Sequence, residues 1–315
     1  MTQTGELYAQ ALVWVDAGRA VAIATVIETW GSAPRPVGSV MIVDATGAMA
    51  GSVSGGCVEA AVVVAAQDAI AAGRSVVLSY GVTDEDAFAV GLACGGQIRV
   101  LVEPVGAVMP VDLLRQIVVA AEARRPVAYE VDLTRGTRRL LGVQAGRSGV
   151  LDEGRKFLNV LRPPLRMVIV GAVHIAQALV PMARACGYLP IVVVPRSAFA
   201  SVDRFPQTEL VVDWPDAALA QMELDGHTAV VTLTHDPKLD DPALMAAVTS
   251  DVFYVGALGS TRTHAARVAR LQAAGLSDAQ VARIHGPVGL SLGGRDPAEI
   301  AVSIMAQITQ VLRQS

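Results

Sequence analysis

Met167-Val-Ile-Val-Gly171-Ala-Val-His174-Ile-Ala-Gln-Ala-Leu-Val-Pro-Met-Ala-Arg-Ala-Cys186-Gly-Tyr-Leu-Pro-Ile-Val-Val-Val194 is the stretch that decides the fold. Its single formal charge is Arg184, so hydropathy alone would admit a membrane span, which needs ~20 unbroken apolar residues. Gly171, His174, Gln177, Pro181, Gly187 and Pro190 interrupt the run. Read by period, it separates into a buried strand at 167–171, a helix at 174–186 and a second buried strand at 189–194. Strand, glycine turn, helix and strand form a βαβ unit, whose two strands pair in parallel.

The same alternation continues toward the carboxyl terminus. Candidate strands recur at 209–212, 228–233 and 252–255, with helices near 215–221, 240–249, 261–274 and 297–312. The expectation for residues 165–315 is a Rossmann-like, doubly wound parallel sheet. In the other direction, Arg162-Pro-Pro164 continues neither a helix nor a central strand and marks a linker. Residues 1–164 read as a mixed α/β domain. A helix at Glu6 to Asp16, strands at 20–27, 39–44, 75–80 and 97–103, and a helix at 111–124 are expected there. A long helix opens at Gly55-Gly56-Cys57 and ends near Gly73, and strand-like pieces lie at 127–133 and 138–143.

Composition agrees with an α/β protein. The 315 residues are 52 % hydrophobic, yet only 4 % aromatic and 17 % charged. Small aliphatic bulk suits strands buried on both faces. The 25 basic and 29 acidic side chains leave a net charge of −4, without the basic face or stacking rings of a nucleic-acid footprint. Glu6 and Asp16 stand where a secretory signal would have a basic segment and an apolar core, so no signal is expected. Cys57, Cys94 and Cys186 are too few and too dispersed for a disulfide scaffold or a Cys-x-x-Cys zinc site. A cytoplasmic protein with no integral membrane segment is the expectation.

Chemistry is expected at two kinds of glycine turn. Gly171-Ala-Val173-His174-Ile-Ala176 stands where a phosphate-binding turn belongs, but Val173 replaces the glycine that lets a pyrophosphate approach the backbone. The acid that would bind a ribose is also missing, since the second strand ends Val194-Pro-Arg196. Two readings stay open, a nucleotide site and a turn that serves packing only, and Arg196 suits a phosphate-bearing ligand. His174, Thr234-His235-Asp236 and Gly256-Ala-Leu-Gly259-Ser260-Thr-Arg262 should gather beyond the strand ends, where a glycine loop with a hydroxyl and an arginine suits an anion. Ordinary βα-turn chemistry, with Ser260 as an N-cap, is the alternative there.

Ser52-Val-Ser54-Gly55-Gly56-Cys57-Val-Glu59 places a cysteine at a helix mouth, where free N–H groups and the helix dipole favour a thiolate and an incoming anion. Glu59 reads as a partner of that dipole. Cys94-Gly95-Gly96 has the reverse order, directly before a strand, and both loops are candidates for one soft-ligand site. Cys186, at a helix end, reads as packing.

At these residues the sequence resembles the XdhC/CoxI family of accessory proteins for molybdenum hydroxylases such as xanthine dehydrogenase. The resemblance lies in Glu28-Thr-Trp-Gly-Ser-Ala-Pro-Arg35-Pro-Val-Gly38, in Gly51 to Glu59, in Tyr80-Gly81 and in Gly91-Leu-Ala-Cys94-Gly-Gly96. It extends through Leu233-Thr-His-Asp-Pro-Lys238, Tyr254 to Ser260 and Ile284-His-Gly-Pro-Val-Gly-Leu290. It implies a chaperone without turnover of its own, one that binds molybdenum cofactor (molybdopterin), supports its sulfuration by a cysteine desulfurase and inserts it into an apo-hydroxylase. The resemblance puts the cofactor-linked cysteine, and a molybdenum contact, on Cys57; together with the loop readings above, the candidate cofactor-binding residues are Ser54, Gly55, Gly56, Cys57, Cys94, Gly95, Arg35, His174, His235 and Arg262. A thiolate is a soft ligand suited to such a metal. Val173, Val194 and Ser291 depart from the family pattern and count against a nucleotide in the second half. A homo-oligomer is expected. The competing readings are an NAD(P)-dependent oxidoreductase and a cofactor-free scaffold between hydroxylase and desulfurase.

Overall fold

The structure, a computed structural model, describes residues 4–31, 33, 35–81, 96–142 and 146–314. The chain divides into two units at Pro163/Pro164.

The amino-terminal unit is built on a five-stranded antiparallel sheet. Its elements are α1 (Thr4–Asp16), β1 (Val21–Trp30), β2 (Val40–Asp44), β3 (Met49–Gly51), α2 (Glu59–Ala72), β4 (Val76–Tyr80) and β5 (Gln97–Pro104), in sheet order β3-β2-β1-β5-β4. β1 is buried on both faces, and its period of two sorts the residues. Ala22, Ala24 and Val26 face α2 together with Val58, Val62, Ala66 and Ala69, small side chains that let helix and sheet approach closely. Val21, Ile23 and Ile27 face the opposite layer, formed by α1, α3 (Val111–Glu122) and part of a second sheet. That second sheet, β6 (Val127–Asp132), β7 (Arg138–Gly142), β8 (Gly149–Leu151) and β9 (Lys156–Leu161), has the order β7-β6-β9-β8. Glu103 of β5 is buried in this layer, where Arg138 Nε donates to it at 2.8 Å and the Tyr129 hydroxyl at 3.2 Å. Burial pushes its carboxyl up, and the Arg138 charge opposes that shift.

The carboxyl-terminal unit is the parallel α/β sheet expected from the opening stretch. It runs β10 (Leu165–Val170), α4 (His174–Ala185), β11 (Tyr188–Val193), β12 (Glu209–Val211), α5 (Pro215–Gln221), β13 (Thr228–Thr232), α6 (Pro237–Val248), β14 (Tyr254–Ala257), α7 (Thr261–Ala273), α8 (Asp278–Val281), β15 (Ile284–His285) and α9 (Pro297–Gln314). All pairs are parallel, in the order β12-β11-β10-β13-β14-β15. One face is covered by α4 and α9, the other by α5, α6 and α7. Pro190 is tolerated inside β11 because β12 pairs only with Ile191–Val193, leaving the proline without a ladder partner on that side.

Several boundaries differ from expectation. α2 starts at Glu59, not at the glycines, because Gly55 and Gly56 hold φ of +83° and +123° and cannot enter a right-handed helix. α6 starts at Pro237, three residues early, because the Asp236 carboxylate accepts from the Lys238 N–H and caps it. The strand expected at 252–255 is Tyr254–Ala257. Short β3, β8, β15 and α8, and the six-residue β9, were not expected. Among the described residues no helix is long and apolar enough to cross a membrane.

Candidate functional site

In the amino-terminal unit the antiparallel register brings three of the quoted motifs to one end of the sheet. Trp30, where β1 ends, pairs with Gln97, where β5 begins, and Tyr80, where β4 ends, pairs with Ile98. Gly51 pairs with Met41 near the start of β2. The loops that leave here meet the same core: Ala33, Cys57 and Tyr80 all pack on the α2 face.

The Ser52–Gly56 loop is wrapped around the carboxylate of Glu59. One carboxylate oxygen accepts from the Ser52 hydroxyl at 2.7 Å and from the N–H groups of Ser54 at 2.9 Å, Gly55 at 3.1 Å and Val53 at 3.2 Å. The other accepts from the Ser54 hydroxyl at 2.5 Å and the Gly56 N–H at 2.9 Å. Burial by itself would raise the Glu59 pKa, but the bonds from Ser54 and Ser52 outweigh it and bring it down to about 2. The buried Ser54 hydroxyl also accepts from the Val58 N–H at 3.0 Å. This corrects the expectation that these loop amides await an incoming anion, because the chain's own carboxylate occupies them. Glu59 is therefore the organiser of the loop. The visible signal was an acid three residues after a Gly-Gly pair, but only the folded turn shows how many donors it collects.

Cys57 stands two residues before α2, half-buried against the α2-face core, and its thiol is free. Arg35 is half-buried, and its Nε is buried without a hydrogen-bond partner among the described residues. A soft sulfur and an unpaired guanidinium edge are the groups here that suit a metal and an anionic arm. Cys94 and Gly95 lie outside the described residues. Among the described residues no three His, Cys, Asp or Glu side chains cluster as a metal site.

The carboxyl-terminal unit has a cleft of about 560 Å³ beyond the strand ends, lined by residues 170–174, 193–196, Phe199, Arg204, Thr234, Asp236 and Leu239. It lies where β11 and β13 leave β10 on opposite sides, the switch point at which open α/β sheets bind ligands. Gly171 is required in this turn: its φ is +111°, and a β-carbon would come 2.6 Å from Thr234 Cγ2. Val173 is extended, with φ −93° and ψ 172°, and offers no side-chain cap to α4. Arg204 donates to the Ala172 carbonyl at 2.8 Å and the Phe199 carbonyl at 3.2 Å.

Of the expected group, His174, Thr234 and Asp236 line this cleft together, while His235 and Arg262 are exposed outside its lining. Ser260 caps α7 by accepting from the Thr263 N–H at 3.1 Å. Behind the cleft wall, Thr234 donates to the buried Asp240 at 2.6 Å, and Asp240 faces the buried Arg267 at 3.7 Å. Burial raises the Asp240 pKa, against the opposing effects of Thr234 and Arg267. Asp240 and Arg267 were not singled out in the sequence. Nothing in a helical spacing shows that two helices will bury opposite charges against each other.

Comparison with known proteins bears on both units. Residues 167–308 match the family description "XdhC Rossmann domain", and residues 14–81 match "XdhC and CoxI family". The chain is 33 % identical over 294 residues to the molybdenum cofactor insertion chaperone PaoD of Escherichia coli (strain K12), covering 93 % of this chain and 84 % of that protein. It is 26 % identical over 317 residues to a probable xanthine dehydrogenase subunit of Bacillus subtilis (strain 168), covering 93 % of each. The crystal structure of a xanthine dehydrogenase from Bacillus halodurans superimposes with a TM-score of 0.77 at 26 % identity, covering 99 % of this chain and 96 % of that one.

Proposed function

Because the chain belongs to the XdhC and CoxI family, we propose that it is a molybdenum cofactor chaperone. It receives the cofactor, holds it and inserts it into an apo-hydroxylase of the xanthine dehydrogenase type. The observation that carries this reading is the half-buried Cys57 thiol, presented by a loop that Glu59 clamps from within. A carrier needs a ligand that is held in place yet can be exchanged. Cys57 supplies one metal–sulfur bond, losing its proton to solvent as it coordinates, and the bond is broken when the client enzyme's own site takes over. Arg35, whose Nε has no hydrogen-bond partner among the described residues, meets the anionic arm of the cargo. While the cofactor is held, its oxo ligand leaves as water after taking up two protons and a sulfido ligand takes its place, the sulfur arriving as the persulfide of a cysteine desulfurase and being reduced to sulfide by two electrons from an external thiol. The same reading has the chain work in the cytoplasm as a homo-oligomer, the latter tested by light scattering.

Purification from cells with an active cofactor pathway tests the core of the proposal. Pterin and molybdenum are expected to co-purify with the chain. Cys57→Ala is expected to lower metal retention and the rate of apo-hydroxylase activation at least ~10-fold, the scale on which coordination shells act. A chain that carries no pterin, with Cys57→Ala activating the hydroxylase normally, would leave the scaffold reading in its place.

A further inference from the structure

The switch-point cleft has no part in that reading, and its lining is selective. Its size, about 560 Å³, falls within the ~300–1,000 Å³ of small-molecule sites. Two guanidinium groups line it. Arg204 is held by the carbonyls of Ala172 and Phe199, not by an acid. Arg196, exposed just after β11, makes no ion pair among the described residues. Asp236 is the one acid of the lining, and it is engaged in capping α6 through the Lys238 N–H. The cleft therefore has a cationic rim over an apolar floor of Val170, Val193 and Val194.

The chemistry at each end of this cleft differs from a general dinucleotide site. Where a carboxylate would accept the two hydroxyls of a ribose, the chain reads Val194-Pro-Arg196, and an arginine at that place accommodates a phosphate on the 2′ position instead. Where a diphosphate would press on the backbone, the Val173 side chain stands at the cleft wall. We propose that this cleft binds a nucleotide carrying a ribose phosphate monoester, with Arg196 as the group that recognises it. A monoester dianion gains a charge-assisted pair from the guanidinium. A free ribose diol finds no carboxylate where β11 ends, and a diphosphate bridge is not the recognised group.

Calorimetric titration of the full chain tests this with 2′-AMP, 5′-AMP, NADP, NAD and inorganic phosphate. 2′-AMP and NADP are expected to bind at least ~10-fold more tightly than 5′-AMP and NAD, since a hydrogen-bonded charge pair is worth ~1.5–3 kcal/mol. Arg196→Ala should remove that preference without shifting the melting temperature of the ligand-free protein, because the side chain is exposed. Val173→Gly should strengthen NAD and NADP alike. NADP tighter than 2′-AMP names the dinucleotide as the source of the monoester, and equal affinity names the mononucleotide; both uphold the recognised group. Equal binding of 2′-AMP and 5′-AMP, a preference that survives Arg196→Ala, or no heat from any nucleotide overturns the proposal.

Discussion

The glycine turns before α2 and α4 use their backbone donors in opposite ways. The Ser52–Gly56 turn before α2 closes on Glu59, so four backbone N–H groups and two hydroxyls are consumed by one internal carboxylate. The Gly171–Val173 turn before α4 has no side-chain cap and borders a cleft. A turn that supplies its own anion is a rigid mount, here for a thiol. A turn without such an acid leaves its place beside the cleft open. The glycine pattern alone does not separate the two, and the decisive residue is the acid three positions on, present as Glu59 in one and absent in the other.

Removing that acid should have the largest effect. Glu59→Ala takes the acceptor from two hydroxyls and from the N–H groups of Val53, Ser54 and Gly56, while the Gly55 N–H keeps the Ser52 hydroxyl at 2.9 Å, and is expected to cost ~4 kcal/mol in denaturant unfolding, with faster reaction of Cys57 toward a thiol reagent. The pH dependence follows from the depressed carboxyl. Its folded-state value of about 2 lies below the ordinary 4.5, so its stabilisation is complete above pH 4.5 and is lost as the pH falls toward 2. Glu59→Gln should remove that part of the acid slope, and an unchanged slope would show that the carboxylate does not hold the loop.

Next in size is a contrast between glycines. Gly171→Ala meets both a left-handed φ and a 2.6 Å clash with Thr234 Cγ2, and should cost ~3 kcal/mol. Gly56→Ala has φ +123° but nothing within 4 Å of the added carbon, so only backbone strain of ~1–2 kcal/mol is expected. Equal losses in thermal melts would break the distinction between a turn constrained by its neighbours and one constrained by its own backbone. The smallest effect converts one turn toward the other. Val173→Asp places a capping carboxylate at an extended N-cap and should stabilise the carboxyl-terminal unit by ~1 kcal/mol, while weakening any anion bound in the cleft.

The doubly wound sheet was legible because its signal is local. Each strand is an apolar run bounded by turn residues, and β10, α4 and β11 follow directly from the 167–194 stretch. The elements that escaped notice carry weak local patterns. β3 and β8 are three residues each and exist only by pairing with β2 and β9. The helix starts show the same limit: a helix is expected from residue 240, yet Asp236-Pro237 opens α6 with a capping carboxylate and a proline in the first turn.

By itself, the sequence determined the parallel sheet, the family resemblance and the residue types available for chemistry, because periodicity, glycine turns and motif spacing are written along the chain. Only the tertiary structure decided how those residues are employed. It turned Glu59 into the clamp of the Cys57 loop, left Arg35 Nε without a hydrogen-bond partner among the described residues, buried Asp240 against Arg267, and put His174 on the cleft while leaving His235 and Arg262 outside it. The physical reason is that hydrogen bonding and burial depend on distances of a few ångströms, set by the backbone conformation of the turn at Glu59 and, for pairs remote in sequence such as Asp240 and Arg267, by how the helices are laid on the paired sheet.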